Sequence, residues 1–292
     1  MFTGFRHCVR VRAMNTLENS DFPVKPWRDV NPSVLEATKQ VPTMLAQQEQ
    51  RLYHWITAHW ATGAGAIVDL GCYAGGSTAR LAEGHRIAGL TSTIHAYDRF
   101  GVNQFGKDKH LYPAGVEPFE GDDLLPLATS LLQPWADRIK LHPGMIEDQT
   151  WPGDPIEVLV MDASKNTGTT DRFAEMFFPS LIPGKSLVVQ QDYLHWKQPW
   201  IAVQMELMAA CFTPVAFAPN DTIVFRCDAP VDADTLAKGR VTDLPQATMM
   251  SSLKAAKERL NSLELGNKIN RLLKAARVNP GVGRASDMKS PD

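Results

Sequence analysis

The chain has 292 residues, of which 44% are hydrophobic and 21% are charged, and its formal net charge is −2. These values are ordinary for a globular protein with a large core, and they exclude a global basic field that would attract nucleic acid or a membrane surface. The four cysteines lie far apart, without metal-site spacing or a disulfide framework, which is typical of a reducing cytoplasm. No uncharged run approaches the roughly 20 residues that a membrane-spanning helix needs. We therefore expect a cytoplasmic protein that binds neither nucleic acid nor membranes.

The predicted elements follow one another as a flexible arm, N-terminal helices, and then alternating strands and helices. Residues 1–31 are predicted to form the arm, because residues 15–31 are polar and contain prolines. Apolar residues recur at helical spacing between residues 32 and 60, which predicts helices that could act as a lid. A long loop is predicted between residues 100 and 121. Apolar runs separated by helical segments predict five strands, at residues 67–70, 93–97, 139–141, 158–161 and 186–190.

Two further strands are predicted at residues 215–218 and 222–226, on either side of a Pro-Asn-Asp hairpin signal. This order predicts an α/β fold with a Rossmann-like, seven-stranded sheet. Five strands would be parallel, an antiparallel hairpin would close the sheet, and helices would cover both faces. We expect one domain over residues 32–228. Residues 229–292 predict a helical extension, whose weak apolar stripe could cover the domain, mediate a homodimer or face solvent, and a disordered tail after Asn279.

A glycine-rich turn follows the first predicted strand. The strand carries Asp69, and the turn contains Gly71, Gly75 and Gly76 before a helix begins. Small residues let the backbone come close to a ligand, and the start of a helix offers free N–H donors. Because sheets of this type bind ligands across the carboxyl ends of their strands, the turn predicts a nucleoside-containing ligand. Tyr73 stands where the dinucleotide fingerprint has its second glycine, which argues against a pyrophosphate.

The pattern Asp-x-Gly-x-Tyr-x-Gly-Gly at residues 69–76 resembles motif one of the class I S-adenosylmethionine-dependent methyltransferases, in branches where the middle glycine is replaced. The resemblance covers roughly residues 40–228 and implies the fold of that family. Asp98 closes the second predicted strand, where an acid can accept both ribose hydroxyls. After the third strand the family lays the adenine against an apolar residue. The cofactor-binding residues that the resemblance implies are Asp69, Gly71, Cys72, Tyr73, Gly75, Ser77, Thr78, Asp98, Arg99, Met145, Ile146 and Asp162.

Acidic residues also follow the fourth and fifth predicted strands. Asp162 opens an Asp-x-x-Lys pattern that ends at Lys165, and Asp192 follows the fifth strand. This pair of strand ends resembles the cation-dependent O-methyltransferases of the catechol and caffeoyl-CoA type, in which two aspartates help hold a divalent metal and the lysine deprotonates a hydroxyl. The resemblance implies a metal site at Asp162 and Asp192, with Mg²⁺ as a second cofactor. That family has Asn directly after the second Asp, whereas Tyr193 stands here. A neighbouring glutamine or water would have to complete the shell, or the metal is absent.

The same strand ends supply the catalytic candidates His195, Lys165 and Asp192. Lys165 needs a lowered pKa to act as a base, whereas His195 has an ordinary pKa of about 6.5. The macrocin-type sugar O-methyltransferases also place acids at these strand ends. The sequence therefore predicts an S-adenosylmethionine-dependent O-methyltransferase for a small hydroxylated acceptor, such as a sugar or a secondary metabolite. The alternatives are a methyltransferase-like binding scaffold without catalysis and an NAD-dependent oxidoreductase, which Tyr73 disfavours.

Overall fold

A computed structural model describes residues 22–292 and shows a seven-stranded sheet between two layers of helices. The strands are β1 (Ala66–Leu70), β2 (Ile94–Asp98), β3 (Ile139–Pro143), β4 (Ile156–Met161), β5 (Leu187–Gln190), β6 (Phe212–Phe217) and β7 (Ile223–Cys227). The α-helices are α1 (Gln47–Trp55), α2 (Gly76–Ile87), α3 (Gln104–Gly106), α4 (Leu125–Leu131), α5 (Thr167–Phe177), α6 (Pro199–Leu207), α7 (Ala233–Lys238), α8 (Gln246–Arg259) and α9 (Ile269–Val278). None of the helices within this part of the chain is long and apolar enough to cross a membrane.

The strand order in the sheet is β3-β2-β1-β4-β5-β7-β6. β1 pairs in parallel with both β2 and β4, so that Leu70 is level with Tyr97 on one side and with Met161 on the other. β7 is antiparallel to β5 and to β6. The predicted fold of five parallel strands and a closing hairpin is therefore confirmed. The order of the strands reverses between β1 and β4, and sheets of this type bind ligands at the carboxyl ends of such a pair.

The central strands are apolar runs that are buried on both faces, as is typical of parallel sheets. Every residue of β4 is buried. Leu159 packs with apolar residues of α6, α8 and α9, whereas Val158 and Val160 pack with those of α1 and α2. Full burial of one such side chain is worth about 1.5–3 kcal/mol, so a slip of one residue would be costly. This packing fixes the register of the strands, and thus the position along the strand axis of the acids that follow each strand.

The segment before the first helices is folded against the sheet rather than flexible. The backbone N–H of Phe217 donates to the Val24 carbonyl oxygen at 3.1 Å, and the Trp27 indole N–H donates to the Phe217 carbonyl oxygen at 2.8 Å. These bonds attach residues 22–31 to the edge strand β6. The predicted flexible arm is therefore wrong for these residues, and its remainder, residues 1–21, lies outside the described residues.

Residues 32–60 form a short 3-10 helix (Pro32–Thr38), a non-helical segment, and then α1 with a π-helical turn that continues it. The side chains of Leu52, Tyr53 and Ile56 on this helix are completely buried. Exposing three such side chains would cost several kcal/mol, which opposes opening of the helix. In this structure α1 forms a wall of the domain, and its role as a lid stays a prediction.

The predicted long loop contains short helical turns and an internal anchor. α3 is followed by a π-helical turn (Lys107–Leu111) and a 3-10 turn (Tyr112–Ala114). Lys107 is buried, and its ammonium group donates hydrogen bonds to the carbonyl oxygens of Phe119 and Gly121. Burial of an ammonium group is costly unless its hydrogen bonds are made, so this contact fixes the loop against its own second half.

The C-terminal extension covers the domain, which was one of the three arrangements left open by the sequence. Leu253, Leu260 and Leu272 of the extension are buried in the same apolar cluster as residues of β4 and β5. The segment after α9 is also ordered, which contradicts the predicted disordered tail. The Asn279 side chain donates to the Lys289 carbonyl oxygen and accepts from its backbone N–H, at 2.9 and 2.7 Å.

Candidate active site

A cleft of about 440 Å³ opens at the carboxyl ends of β1, β2, β3 and β4. Small-molecule sites commonly have volumes of roughly 300–1,000 Å³. The predicted residues that line it are Gly71, Tyr73, Asp98, Arg99, Met145, Ile146, Asp162 and Lys165. Glu147, which the family resemblance places near the adenine amine, also lines it, and the lining residues that sequence reasoning missed are Met44, Gly101, Gly144, Ala163, Asn166, Thr169 and Phe173. The strand ends thus bring together eight of the predicted residues from four separate segments of the chain.

The glycine-rich turn is shaped by positive backbone angles and close packing. Gly71 has φ 93° and Tyr73 has φ 52°, both in the left-handed region. A Cβ atom on Gly71 would lie 2.9 Å from the Asp162 carbonyl oxygen, so only glycine fits between β1 and β4 at this point. The turn points the Tyr73 backbone N–H at Asp98, whose Oδ2 accepts it at 2.8 Å. The Phe100 N–H donates to Oδ1 of the same carboxylate at 2.7 Å.

Asp69 lies beneath the turn and does not line the cleft. Its Oδ2 accepts hydrogen bonds from the hydroxyls of Ser77 and Thr78, at 2.7 and 2.6 Å, and ties the first turn of α2 to β1. Its Oδ1 is buried without a hydrogen-bond partner. Burial raises the pKa of Asp69 to about 6, although the two hydroxyls oppose this shift. Gly75, with φ 92°, precedes this helix and packs against Leu132 instead of the cleft.

A second, much smaller pocket adjoins the cleft on the side of the N-terminal segment. Cys72 and Ser77 line it together with Pro42 and Thr43. Cys72 is buried, and its burial, with Asp69 as a lesser cause, raises the pKa of the thiol well above its ordinary value. The thiol is therefore protonated at neutral pH and serves as a small apolar wall of the site.

Lys165 connects the two acids that follow β4 and β5. Its ammonium group lies 2.9 Å from Asp162 Oδ1 and also contacts Asp192 Oδ2. Burial favours the neutral amine, but the two carboxylates outweigh it and raise the pKa of Lys165 above its ordinary value. A base would need the opposite shift, so the geometry does not fit the predicted role of Lys165 as the base.

The ammonium group also affects the proposed metal site. The two predicted ligands, Asp162 and Asp192, are brought together, but Lys165 is hydrogen-bonded to both. Tyr193, at the position of the third ligand in the cation-dependent enzymes, is buried, and its ring packs 5.2 Å from that of Phe225. Among residues 22–292 no group of three His, Cys, Asp or Glu side chains could hold a metal ion. The donor set therefore does not fit Mg²⁺, and the metal prediction from the sequence is not supported.

His195 lies beside the acids but is not among the residues that line the cleft. Its backbone N–H donates to the Asp192 carbonyl oxygen at 3.0 Å, and its ring nitrogen Nδ1 is buried without a partner. The ring stacks at 6.3 Å on Trp196. The role of His195 as a base stays a prediction.

A buried polar network beneath the strand ends was not predicted. Tyr53 donates to Gln191 Oε1 at 2.6 Å, and the amide of Gln191 donates to Glu49 Oε1 at 2.9 Å. Thr222 donates to the same Glu49 oxygen at 2.7 Å. Burial raises the pKa of Glu49, against the hydrogen bond from Thr222. The network joins α1 to Gln191, the residue before Asp192. Glu49 is an acid on the apolar face of a predicted helix, and this is the sequence signal that could have indicated the network.

The strand order and the antiparallel β7 give the chain the Rossmann-like fold of class I methyltransferases. No family model matches the sequence, and no curated protein matches it either. Among solved structures, the SAH-bound methyltransferase PaMTH1 of Podospora anserina is 11% identical, with 86% of this chain and 81% of that chain covered and a TM-score of 0.39. The cofactor-bound protein Rv0187 from MTB is 18% identical, with coverage of 67% and 87% and a TM-score of 0.46.

A cyclopropane-fatty-acyl-phospholipid synthase-like protein from Lactobacillus casei is 16% identical, with coverage of 87% and 97% and a TM-score of 0.35. Similarities of this size concern the fold and carry no argument about the reaction. The function must therefore be inferred from the chemistry of the cleft itself.

Proposed function

We propose that the chain is an S-adenosylmethionine-dependent methyltransferase that methylates a hydroxyl group of a small acceptor. The observation that carries this proposal is an acid-lined cleft at the point where the strand order reverses. Asp98, Glu147 and Asp162 line the cleft, together with the cations Arg99 and Lys165. S-adenosylmethionine carries a sulfonium, an ammonium group and one carboxylate, and no phosphate, so its net positive charge is complementary to the acids.

Asp98 fits the ribose of such a cofactor. Each of its two carboxylate oxygens accepts one backbone N–H, from Tyr73 and from Phe100. An ionised carboxylate has about four acceptor positions, so two remain for two ribose hydroxyls. The backbone bonds fix the carboxylate before any ligand binds, which lowers the entropic cost of binding.

Apolar contact for an adenine ring is available after β3. Met145 is 49% exposed and lines the cleft, whereas Ile146 is buried beneath it. Pockets for small molecules are lined predominantly by apolar side chains, and these two supply apolar surface on the β3 side of the cleft. We assign the adenine contact to Met145, with Ile146 as its support.

The same charges disfavour an NAD-dependent oxidoreductase. A pyrophosphate in this cleft would meet the carboxylates of Asp98 and Asp162, and like charges repel. The alternative of a scaffold with a blocked pocket and a protruding C-terminal helix is also disfavoured. The cleft is open, and α8 and α9 pack into the core of the domain.

The acceptor would lie over the ends of β4 and β5, between Asp162 and the segment that follows Asp192. Methyl transfer from a sulfonium needs in-line placement of the acceptor oxygen, because the cofactor is already activated. The open side of the cleft leaves room for a small molecule, so we propose a small-molecule partner rather than a nucleic acid. The Asp-x-x-Lys pattern and its resemblance to O-methyltransferases favour a hydroxyl acceptor, such as a sugar or a secondary metabolite.

Isothermal titration with S-adenosylhomocysteine tests the cofactor assignment. Wild-type protein should bind it, and Asp98→Ala should bind at least about tenfold more weakly, because hydrogen bonds to a charged group are worth about 1.5–3 kcal/mol. Asp234→Ala, at an exposed acid on α7, is the matched control and should bind as wild type does. An absence of binding by wild type, or equal binding by wild type and Asp98→Ala, would refute the proposed cofactor site.

A further inference from the structure

The ammonium group of Lys165 occupies the space between two carboxylates that, in a cation-dependent transferase, would share a metal ion. We propose that this ammonium group replaces the divalent cation and binds the acceptor oxygen, which would make the enzyme metal-independent. This inference rests on the proposed function, because it assigns a role at the acceptor end of the same cleft. It differs from the role as a base, since the lysine stays protonated throughout.

The ammonium group occupies the carboxylate oxygens that a metal ion would need. Mg²⁺ requires near-octahedral coordination by oxygen at about 2.0–2.1 Å and is usually bound by carboxylates with several waters. Here Asp192 Oδ2 already accepts both the Lys165 ammonium and the Gln198 amide N–H, the latter at 2.8 Å. Tyr193, the next residue, is directed into the core. One oxygen of each carboxylate, Asp162 Oδ1 and Asp192 Oδ2, is therefore already engaged by donors of the protein itself.

Lys165 is held in place by its backbone as well as by its side chain. Its carbonyl oxygen accepts the Ala285 N–H at 3.0 Å, and the neighbouring Thr167 N–H donates to the Gly283 carbonyl oxygen at 2.9 Å. The backbone of Asn166, between them, forms an antiparallel β-bridge with that of Arg284. The segment after α9 thus clamps the loop that carries the lysine. A fixed cation is useful for catalysis because it needs no reorganisation when charge develops.

One N–H of the ammonium group remains for the acceptor. A lysine has three such donors, and two are taken by Asp162 and Asp192. The Lys165 side chain is 53% exposed and lines the cleft, so the third donor is accessible to a bound acceptor. Its hydrogen bond would orient the acceptor oxygen and stabilise the negative charge that develops on it.

The transfer itself then balances without a metal. A lone pair of the acceptor oxygen forms the bond to the methyl carbon, and the carbon–sulfur bond breaks with both electrons going to sulfur. The sulfonium becomes the neutral thioether of S-adenosylhomocysteine. The hydroxyl proton leaves to solvent at the open side of the cleft before the bond to carbon forms, so the attacking oxygen carries the negative charge that the ammonium group stabilises, and Lys165 keeps its own protons.

Binding of Mn²⁺ at about pH 8 tests this assignment without a known acceptor, because Mn²⁺ accepts the same oxygen ligands as Mg²⁺ and is visible by electron paramagnetic resonance. Wild type should bind Mn²⁺ only weakly at this site. Lys165→Ala removes the ammonium group and should bind Mn²⁺ at least about tenfold more tightly than wild type does. Lys165→Ala/Asp192→Asn should lose this gain, and circular dichroism with thermal unfolding checks that each variant is folded.

Equal binding of Mn²⁺ by wild type and Lys165→Ala would overturn the inference, whether both bind or neither does. Binding by both means that the lysine does not fill the cation position. Binding by neither means that the carboxylate pair is not a cation site. Titration of the wild type with S-adenosylhomocysteine is a separate measurement, so failure of the cofactor assignment and failure of this inference can be told apart.

Discussion

Replacement of Asp69 by asparagine should remove a pH-dependent penalty from the stability of the fold. Burial raises the pKa of Asp69 from 3.8 to about 6, and the hydrogen bonds from Thr78 and Ser77 oppose it only in part. Because the folded state disfavours the ionised form, the protein loses stability as the pH rises through this window. At about 1.4 kcal/mol per pKa unit, the loss amounts to about 3 kcal/mol above pH 6. Asparagine does not ionise, and its carbonyl oxygen can still accept from both hydroxyls.

Urea denaturation of the cofactor-free proteins between about pH 4 and pH 8 measures this effect. The free energy of unfolding of Asp69→Asn, relative to wild type, should rise by about 2–3 kcal/mol over that range. Asp232→Asn is a control of opposite sign, because hydrogen bonds from Thr235 lower the pKa of the exposed Asp232. Its stability relative to wild type should fall as the pH rises. Parallel pH profiles for wild type and Asp69→Asn would refute the argument that burial raises the pKa of Asp69.

Three further predictions concern the turn, the loop and the tail. Gly71→Ala should cost about 1–3 kcal/mol of stability and weaken S-adenosylhomocysteine binding, whereas Gly89→Ala, with φ 71° and open space around it, should leave binding unchanged. Lys107→Met should cost about 1–3 kcal/mol and speed hydrogen exchange in residues 100–121, because the carbonyl oxygens of Phe119 and Gly121 lose their hydrogen bonds to a charged donor. Asn279→Ala should speed exchange after α9, because the bonds to Lys289 are lost. Equal binding by the two glycine variants, or unchanged exchange in the others, would contradict these expectations.

The elements that the sequence predicted well are those whose signal is local. A buried parallel strand is an apolar run of a few residues, and its ends are marked by turn residues. β1, β2 and β4 therefore begin within two residues of their predicted starts. The alternation of strands and helices then leaves few possible topologies, since parallel crossovers have one hand. This is why the sheet and the position of the cleft could be inferred from one sequence.

The elements that it predicted badly are held by contacts without periodicity. Residues 22–31 have no helical or strand pattern, and they are fixed by backbone bonds to β6 and by the Trp27 indole. The tail after α9 is fixed in the same way, by the Asn279 side chain and by backbone bonds to the loop after β4. A polar segment is disordered only when it has no surface to pack against. Here the surfaces are β6 and the loop after β4, which lie far from these segments in the sequence.

By itself, the sequence determined that a glycine-rich turn and acids at strand ends would meet at one edge of the sheet, because strand ends and turns are encoded by neighbouring residues. Only the tertiary structure decided what these acids do. Asp162 and Asp192 are 30 residues apart in the chain, and a spacing of that kind does not say whether a metal or a side chain lies between them. The packing of β4 beside β5 places the Lys165 ammonium there and directs Tyr193 into the core. Direction and distance of side chains arise from packing, and so this part of the chemistry could be read only from the folded chain.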